Sequence, residues 1–166
     1  MKAVAILSYA AAVSAAAAGA RPQSPGPVAP PKNPNSYEMV TISSLTLVKN
    51  IDSHDHVEYV DFVLDGNKAH ALNCKAQNPK VTALGQNADI IDCEGSKYRF
   101  ALHPGTSDAN IVVEIWHELG PAFGFYGHET VAINCPKDAK NPAKTSCTQT
   151  STFVSWAIDI DGKLSN

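Results

Sequence analysis

Apolar and polar residues alternate with a period of two along most of the chain after residue 36. In the segment 57–64, for example, Val60, Phe62 and Leu64 share one face, and the segment 98–102 repeats the pattern. This period is that of a β-strand with one buried face, whereas a helix needs apolar residues three and four positions apart. No segment keeps the helical period for three turns, so the sequence predicts an all-β fold.

Short polar turns divide the alternating segments. The Asp65-Gly66 pair predicts a tight hairpin turn, because both residues tolerate positive φ angles, and Glu94-Gly95-Ser96 predicts a second turn. Strands are expected at 57–64, 67–74, 89–93, 98–102, 111–120, 123–134 and 152–161. The last strand carries four residues on one face, namely Val154, Trp156, Ile158 and Ile160, with Trp156 in the core. Eight or more short antiparallel strands favour a single β-barrel or a barrel-like sandwich, because closure leaves no long strand edge exposed.

Four cysteines, Cys74, Cys93, Cys135 and Cys147, lie in the predicted β-rich region. Their number is even and no Cys-x-x-Cys pair occurs, so disulfides are favoured over a zinc site. Pairing in sequence order, Cys74 with Cys93 and Cys135 with Cys147, is the most economical of the three connectivities, and the other two stay open. Each bridge should stabilise the fold by about 2–4 kcal/mol. The polar segment 136–146 is expected to be a loop.

The first twenty residues have the features of a secretory signal peptide. Lys2 precedes an apolar, alanine-rich run from 3 to 18, and the small residues Ala18-Gly19-Ala20 predict cleavage after Ala20, with cleavage after Ala18 as the alternative. The run is too short to cross a membrane as a helix, and no later segment is suited to do so. The sequence therefore predicts an extracellular protein, in a compartment where disulfides form.

Residues 21–35 contain six of the eleven prolines and predict a flexible, proline-rich arm ahead of a folded domain at 36–166. Such an arm serves as a spacer or, alternatively, as a proline-rich ligand for a partner. The whole chain has 13 basic and 16 acidic residues, and its only arginines are Arg21 and Arg99. This balance argues against nucleic acid as a partner, because phosphate binding needs clustered Lys and Arg.

A glycine-containing segment carries three aromatic residues, Phe123, Phe125 and Tyr126. Together with His128 and with Trp116 on the neighbouring predicted strand, they are the predicted ligand or partner site, since small apolar ligands favour barrel openings. The alternative is that alternate aromatics belong to the core and Tyr126 is a half-exposed strand residue.

His54, His56 and Glu58 alternate at the start of a predicted strand, so their side chains would share one face. Two imidazoles and a carboxylate can bind a divalent metal ion, although polar residues at a strand entrance can equally face water. Acids on other strands, such as Glu114 and Glu118, cannot be paired into a hydrolytic centre from sequence. We therefore predict no catalytic residue, no cofactor and no metal site beyond this one candidate.

Three segments carry a family resemblance: 71–77, with the sequence ALNCKAQ; 92–95, with DCEG; and 98–100, with YRF. With the late pair Cys135 and Cys147, they resemble the Alternaria major allergen family of small secreted fungal proteins. The resemblance covers residues 37–161. It implies a compact β-barrel with two intramolecular disulfides, secreted by a fungus and often recognised by plants as an elicitor of defence or cell death.

The resemblance also implies partners, since some relatives are thought to bind plant defence proteins or small phenolic ligands. Relatives that form a disulfide-linked dimer carry an extra cysteine near the mature N-terminus, which this sequence lacks, so a monomer or a non-covalent dimer is expected. The predicted function is that of a non-enzymatic secreted effector or elicitor that triggers or modulates plant defence by binding a host protein or cell-surface receptor. The alternatives are a small-molecule or carbohydrate-binding module and a secreted metal-dependent hydrolase.

Overall fold

The structure of the protein is a computed structural model. It describes residues 37–50, 56–121, 123–136 and 143–160. The predicted signal peptide and the proline-rich arm fall outside these residues, so their boundaries stay predictions.

The described chain folds into nine antiparallel strands and contains no helix, which confirms the predicted all-β class. The strands are β1 (Tyr37–Asn50), β2 (Val57–Gly66), β3 (Ala69–Gln77), β4 (Ile91–Asp92), β5 (Tyr98–Pro104), β6 (Asn110–Gly120), β7 (Phe123–Asn134), β8 (Lys144–Gln149) and β9 (Phe153–Asp159). None of the described segments forms a helix that is long and apolar enough to cross a membrane.

The strands form one barrel-like sheet in the order β3-β2-β1-β8-β7-β6-β5-β4, and β9 adds to both β1 and β7. The long strand β1 changes its partner halfway, because Tyr37 to Ser43 pair with β9 and Thr46 to Asn50 pair with β8. Ser44 lies at this change with a φ angle of 57° and marks an irregularity in the pairing with β2. Because β1 changes its partner at Ser44, β9 and β8 each connect one half of β1 to β7.

Alternate residues of each strand fill the barrel. The predicted inward residues of β2, β5 and β6 are all buried, namely Val60, Phe62, Leu64, Tyr98, Phe100, Leu102, Ile111, Val113 and Ile115. Phe62 and Phe100 meet edge to face with ring centroids 5.0 Å apart. Trp156 and Ile158 are also buried, as predicted, whereas Ile160 follows the end of β9 and is exposed.

Two strands did not emerge from the sequence, and one predicted strand is shorter. The chain was expected to enter the domain near Ser36, but β1 was not identified, and β8 begins inside the segment 136–146 that was predicted to be a loop. The predicted strand 89–93 is reduced to Ile91–Asp92. β8 was missed because its inward residues are Thr145 and Cys147, and the buried Thr145 hydroxyl donates to the Pro136 carbonyl at 2.8 Å.

The two predicted turns behave differently. Glu94 and Gly95 have φ angles of 44° and 68°, which fits a tight turn in which both central residues need positive φ. The hairpin after β2 also forms, but Gly66 pairs with Ala69, so Asn67 and Lys68 make the loop. Neither Asp65 nor Gly66 has a positive φ angle, so the conformational reason predicted for this pair was wrong.

Both disulfides pair in sequence order, as predicted. Cys74 lies in β3 and Cys93 follows β4, and these two strands are the ends of the strand order. The first disulfide therefore joins the two free edges of the sheet across a seam that lacks backbone pairing in the described structure. The second joins the end of β7 to β8.

We expect the seam disulfide to contribute more stability than the other one. The two disulfides close loops of similar length, with sequence separations of 19 and 12, so loop entropy alone gives about 3 kcal/mol for each. The double variant Cys74→Ala/Cys93→Ala should lose more than this value, because it also frees two sheet edges. Urea unfolding checks the prediction, with Cys135→Ala/Cys147→Ala as the matched control. Equal losses in the two variants would contradict it.

Candidate functional site

Three of the five predicted binding residues, Trp116, Tyr126 and His128, lie on the outer face of β6 and β7. In the register of these strands Trp116 lies opposite Tyr126, and Glu114 lies opposite His128. Phe123 begins β7 and is 50% exposed. The predicted residues are thus brought together by cross-strand pairing, which places directly opposite side chains about 5 Å apart at Cβ.

Two adjoining cavities, of about 450 and 420 Å³, lie over this face and share Ile90, Trp116 and Tyr126. The first extends toward the β6–β7 turn, and the second lies beneath the connection 78–90 between β3 and β4. We call this depression the aromatic groove. Its main apolar residues are Leu84, Ile90, Trp116, Phe123, Tyr126 and Ile160.

The fifth predicted residue, Phe125, points the other way. It belongs to the buried core, as alternation along β7 requires, and contributes only to the lining of the larger cavity. Its neighbour Gly124 lies opposite Glu118, and a side chain there would meet the His117 carbonyl oxygen at 2.4 Å. The lack of a side chain at Gly124 therefore lets β7 approach the backbone of β6 closely at this point.

The connection over the groove is tied down by His103. Its Nδ1 lies 2.8 Å from the Thr82 carbonyl oxygen, and its Nε2 lies 2.9 Å from Glu114 Oε2. A carbonyl can only accept, so Nδ1 donates to Thr82, and Nε2 makes the hydrogen bond with the Glu114 carboxyl group. This buried contact holds one wall of the groove against the sheet.

Arg99 lies at the opposite rim between two carboxylates. Its Nε is 2.9 Å from Asp92 and its Nη2 is 3.0 Å from Glu118. Because all three side chains are well exposed, these pairs add little to the free energy of unfolding. Their effect is to keep the rim polar around an apolar floor.

Apolar exposure is concentrated in the groove. Eight large hydrophobic residues of the described chain are exposed, and five of them line the groove, namely Leu84, Ile90, Phe123, Tyr126 and Ile160. Scattered apolar residues are normal on protein surfaces, but a contiguous patch with a polar rim marks a binding site. The groove is therefore the strongest candidate for a functional site in the described structure.

A buried polar network lies beneath the groove, on the inner side of β6. Glu38 in β1 is 1% exposed and accepts hydrogen bonds from Tyr98 Oη and His117 Nδ1, both at 2.5 Å. The Tyr98 and His117 rings stack with centroids 4.1 Å apart. His117 also lines the larger cavity, so the network connects the core to the groove.

The same network crosses the seam. The backbone amide of Asn67 donates to Glu38 at 2.7 Å, and that of Lys68 donates to Tyr98 Oη at 3.0 Å, so the β2–β3 turn is tied to β1 and β5. A buried carboxylate needs such donors, because an unpaired charge in the core is strongly destabilising. Burial, and then the hydrogen bond to Glu38, raise the pKa of Tyr98.

Sequence reasoning did not find this network. Tyr98 was placed in the core, but Glu38 and His117 were not considered, because their partners are 60 and 79 residues away in the chain. One signal was available: Glu38 shares its strand face with Val40 and Ile42, and a charged residue on an apolar face needs a buried partner.

The candidate metal ligands are not supported by the described structure. His54 lies outside the described residues, His56 is exposed, and Glu58 is 2.6 Å from Lys144 Nζ. No group of three potential ligands comes together among the described residues. The metal-dependent alternative therefore stays a prediction.

The fold and the groove together define a small, barrel-like β protein with two intramolecular disulfides and an apolar groove on one face. Residues 42–150 match the family described as Alternaria alternata allergen 1, and the chain belongs to this family, as the resemblance predicted. It is 40% identical over 129 residues to the effector protein PevD1 of Verticillium dahliae, which covers 78% of each chain, and the same values hold for strain VdLs.17. A crystal structure of Alternaria alternata allergen Alt a 1 shares the fold with a TM-score of 0.51 and 14% identity, over 73% of this chain and 85% of that one.

Gly66 should be intolerant of a side chain. A Cβ at this position would lie 2.7 Å from Glu38 Oε1 and 2.9 Å from Tyr98 Oη, whereas a Cβ at Gly120 would meet nothing within 4 Å. We expect Gly66→Ala to lower the free energy of unfolding by about 1–3 kcal/mol through overpacking, and Gly120→Ala to change it by less than about 0.5 kcal/mol. Chemical denaturation of both variants tests this expectation, and similar values for the two would refute it.

Tyr98 should make the protein sensitive to alkaline pH. Its pKa is raised in the folded state, so its stabilising effect is complete below about pH 10, where the unfolded chain also holds the proton. Above that pH only the unfolded chain releases the proton, and stability falls by at most about 1.4 kcal/mol per pH unit. Denaturation curves between pH 9 and 11.5 should show a shallower decline for Tyr98→Phe than for the wild type. Tyr37, which lies on the outer face of β1, provides the control as Tyr37→Phe. An unchanged slope for Tyr98→Phe would exclude this account.

Proposed function

We propose that the protein is a secreted fungal effector that triggers or modulates plant defence by binding a host protein or cell-surface receptor through the aromatic groove, without catalysing a reaction. The observation that carries this proposal is the concentration of exposed apolar residues at one polar-rimmed groove. Interface centres are enriched in Trp, Tyr and Phe, and Trp116, Phe123 and Tyr126 meet here.

The relatives support the same proposal. PevD1 is named as an effector protein, and the 40% identity extends over most of this chain. The predicted signal peptide supports secretion, and the two disulfides suit an oxidising extracellular compartment. The histidine–carboxylate pairs of the described structure hold a loop and close the seam, which are structural tasks.

A small ligand, such as a phenolic compound or a cell-wall sugar, is the second candidate for the same groove. The cavity of about 450 Å³ lies in the range of small-molecule sites, and Trp116 and Tyr126 lie side by side as a stacking surface. Titration calorimetry with phenolics and wall glycans separates this candidate from protein recognition, because saturable heat with a purified small molecule would assign the groove to it.

Replacing one groove aromatic should weaken the plant response strongly. Phe123→Ala removes a half-exposed anchor, and a hot-spot residue contributes about 2 kcal/mol or more to binding, so the protein concentration that gives a half-maximal response should rise about 30-fold. Leaf infiltration with purified protein, scored by ion leakage, provides the measurement.

Phe153→Ala is the matched control. Phe153 is the same residue type, is 61% exposed, and does not line the groove. It should leave the dose response unchanged. If the two variants weaken the response equally, or neither does while both stay folded by circular dichroism, the groove is not the recognition surface.

A further inference from the structure

The described chain begins beside the aromatic groove. Tyr37, the first residue of β1, pairs with Asp159 of β9, and Asp159 pairs with Tyr126 of β7. Tyr126 in turn lies opposite Trp116 in β6. Tyr37, Asp159 and Tyr126 alternate with inward-facing neighbours, so all lie on the outer face. The segment that precedes Tyr37 thus enters the domain on the face and at the end where the groove lies.

That preceding segment has the composition of a polyproline ligand. Residues 21–35 read RPQSPGPVAPPKNPN and contain three Pro-x-x-Pro motifs, at 22–25, 27–30 and 31–34. Such motifs favour the extended polyproline II helix, whose low conformational entropy helps it to bind grooves lined by aromatic side chains. The groove offers Trp116 and Tyr126 side by side as such a surface.

The distances allow the segment to reach the groove. Neighbouring strands lie about 4.8 Å apart, so three steps from β1 through β9 and β7 to β6 span about 14 Å. A polyproline II helix advances about 3.1 Å per residue, which places Pro34 about 9 Å and Pro31 about 19 Å from Tyr37 along the chain. The distance to Trp116 therefore lies between the distances that Pro34 and Pro31 can reach.

The segment is basic, whereas the groove carries charges of both signs. The segment carries Arg21 and Lys32 and no acidic residue. Glu114 and Glu118 line the groove, and Asp159 borders it between Tyr37 and Tyr126. Because Glu118 is already paired with Arg99 and Glu114 with His103, these carboxylates attract a basic segment only weakly, and the apolar floor is left as the main source of affinity.

We propose that the proline-rich segment 21–35 docks along the aromatic groove of its own chain in the polyproline II conformation, with the motif 31–34 against Trp116 and Tyr126. The segment covers the apolar floor and competes with any other occupant. This inference holds whether the groove binds a host protein, a small ligand or neither, because it concerns only the chain itself.

The indole N–H signals of the two tryptophans can report by NMR whether the segment occupies the groove. Trp116 lines the groove and Trp156 lies in the core, and the sequence has no other tryptophan, so a ¹⁵N-labelled sample gives one indole N–H signal for each. In the secreted protein carrying Pro31→Ala and Pro34→Ala, the Trp116 signal should shift while the Trp156 signal stays in place. Adding the synthetic peptide of residues 21–35 at millimolar concentration should return the Trp116 signal toward its wild-type position.

A matched variant within the segment controls for composition. Pro22→Ala with Pro25→Ala changes the motif farthest from Tyr37, with Pro25 about 37 Å away along a polyproline II helix, and should leave both signals unchanged. An unshifted Trp116 signal in the Pro31/Pro34 variant overturns the proposal. The proposal is also overturned if dilution of the wild-type protein moves its Trp116 signal to the position seen in the Pro31/Pro34 variant. The groove would then hold the segment of a second copy of the chain.

Discussion

The seam between β3 and β4 is the constraint on which the rest of the structure depends, because these two strands end the sheet and do not pair with each other. Free strand edges invite pairing with other chains, and a barrel avoids them only when it closes. Here two different interactions close it. The Cys74–Cys93 disulfide acts on the unfolded state by limiting the conformations of the chain. The hydrogen bonds around Glu38 exist only in the folded state, since they need the β2–β3 turn and β5 in place.

The interactions that close the seam also position the groove. In β6, His117 points inward to Glu38, while its neighbours Trp116 and Glu118 point outward. A slip of one residue in strand register would exchange these faces, bury Trp116 and expose His117. Such a slip would remove His117 as a hydrogen-bond donor to Glu38, and a buried carboxylate that lacks a donor is destabilising in the core. The buried network thus selects the register that presents the aromatic face to solvent.

Sequence reasoning succeeded where one face of a strand is apolar and failed where a buried residue is polar. Alternation identified β2, β5, β6, β7 and β9, and the aromatic residues of the groove followed from two adjacent strands. β8 was lost because its buried residues include Thr145, whose hydroxyl is satisfied by a backbone carbonyl that the sequence cannot reveal. Gly66 was recognised as special for the wrong reason, since its need is space beside Glu38 and not a positive φ angle. The Thr145 contact spans nine residues and the Gly66 contact joins β2 to β1 and β5, and neither contact is encoded in a local pattern.

An arm that docks in the groove would raise the affinity that a partner needs in order to bind there. A tethered segment of this length experiences an effective concentration of about 1 mM, so a free-peptide dissociation constant of about 0.1 mM would keep the groove about nine-tenths occupied. A competing partner would then bind about tenfold more weakly than it does to the open groove. Ligands with only modest affinity would be excluded, whereas a partner with anchors complementary to Trp116 and Phe123 would still displace the arm. Selectivity would therefore arise from the difference between two binding free energies at one surface, and the arm would set the threshold.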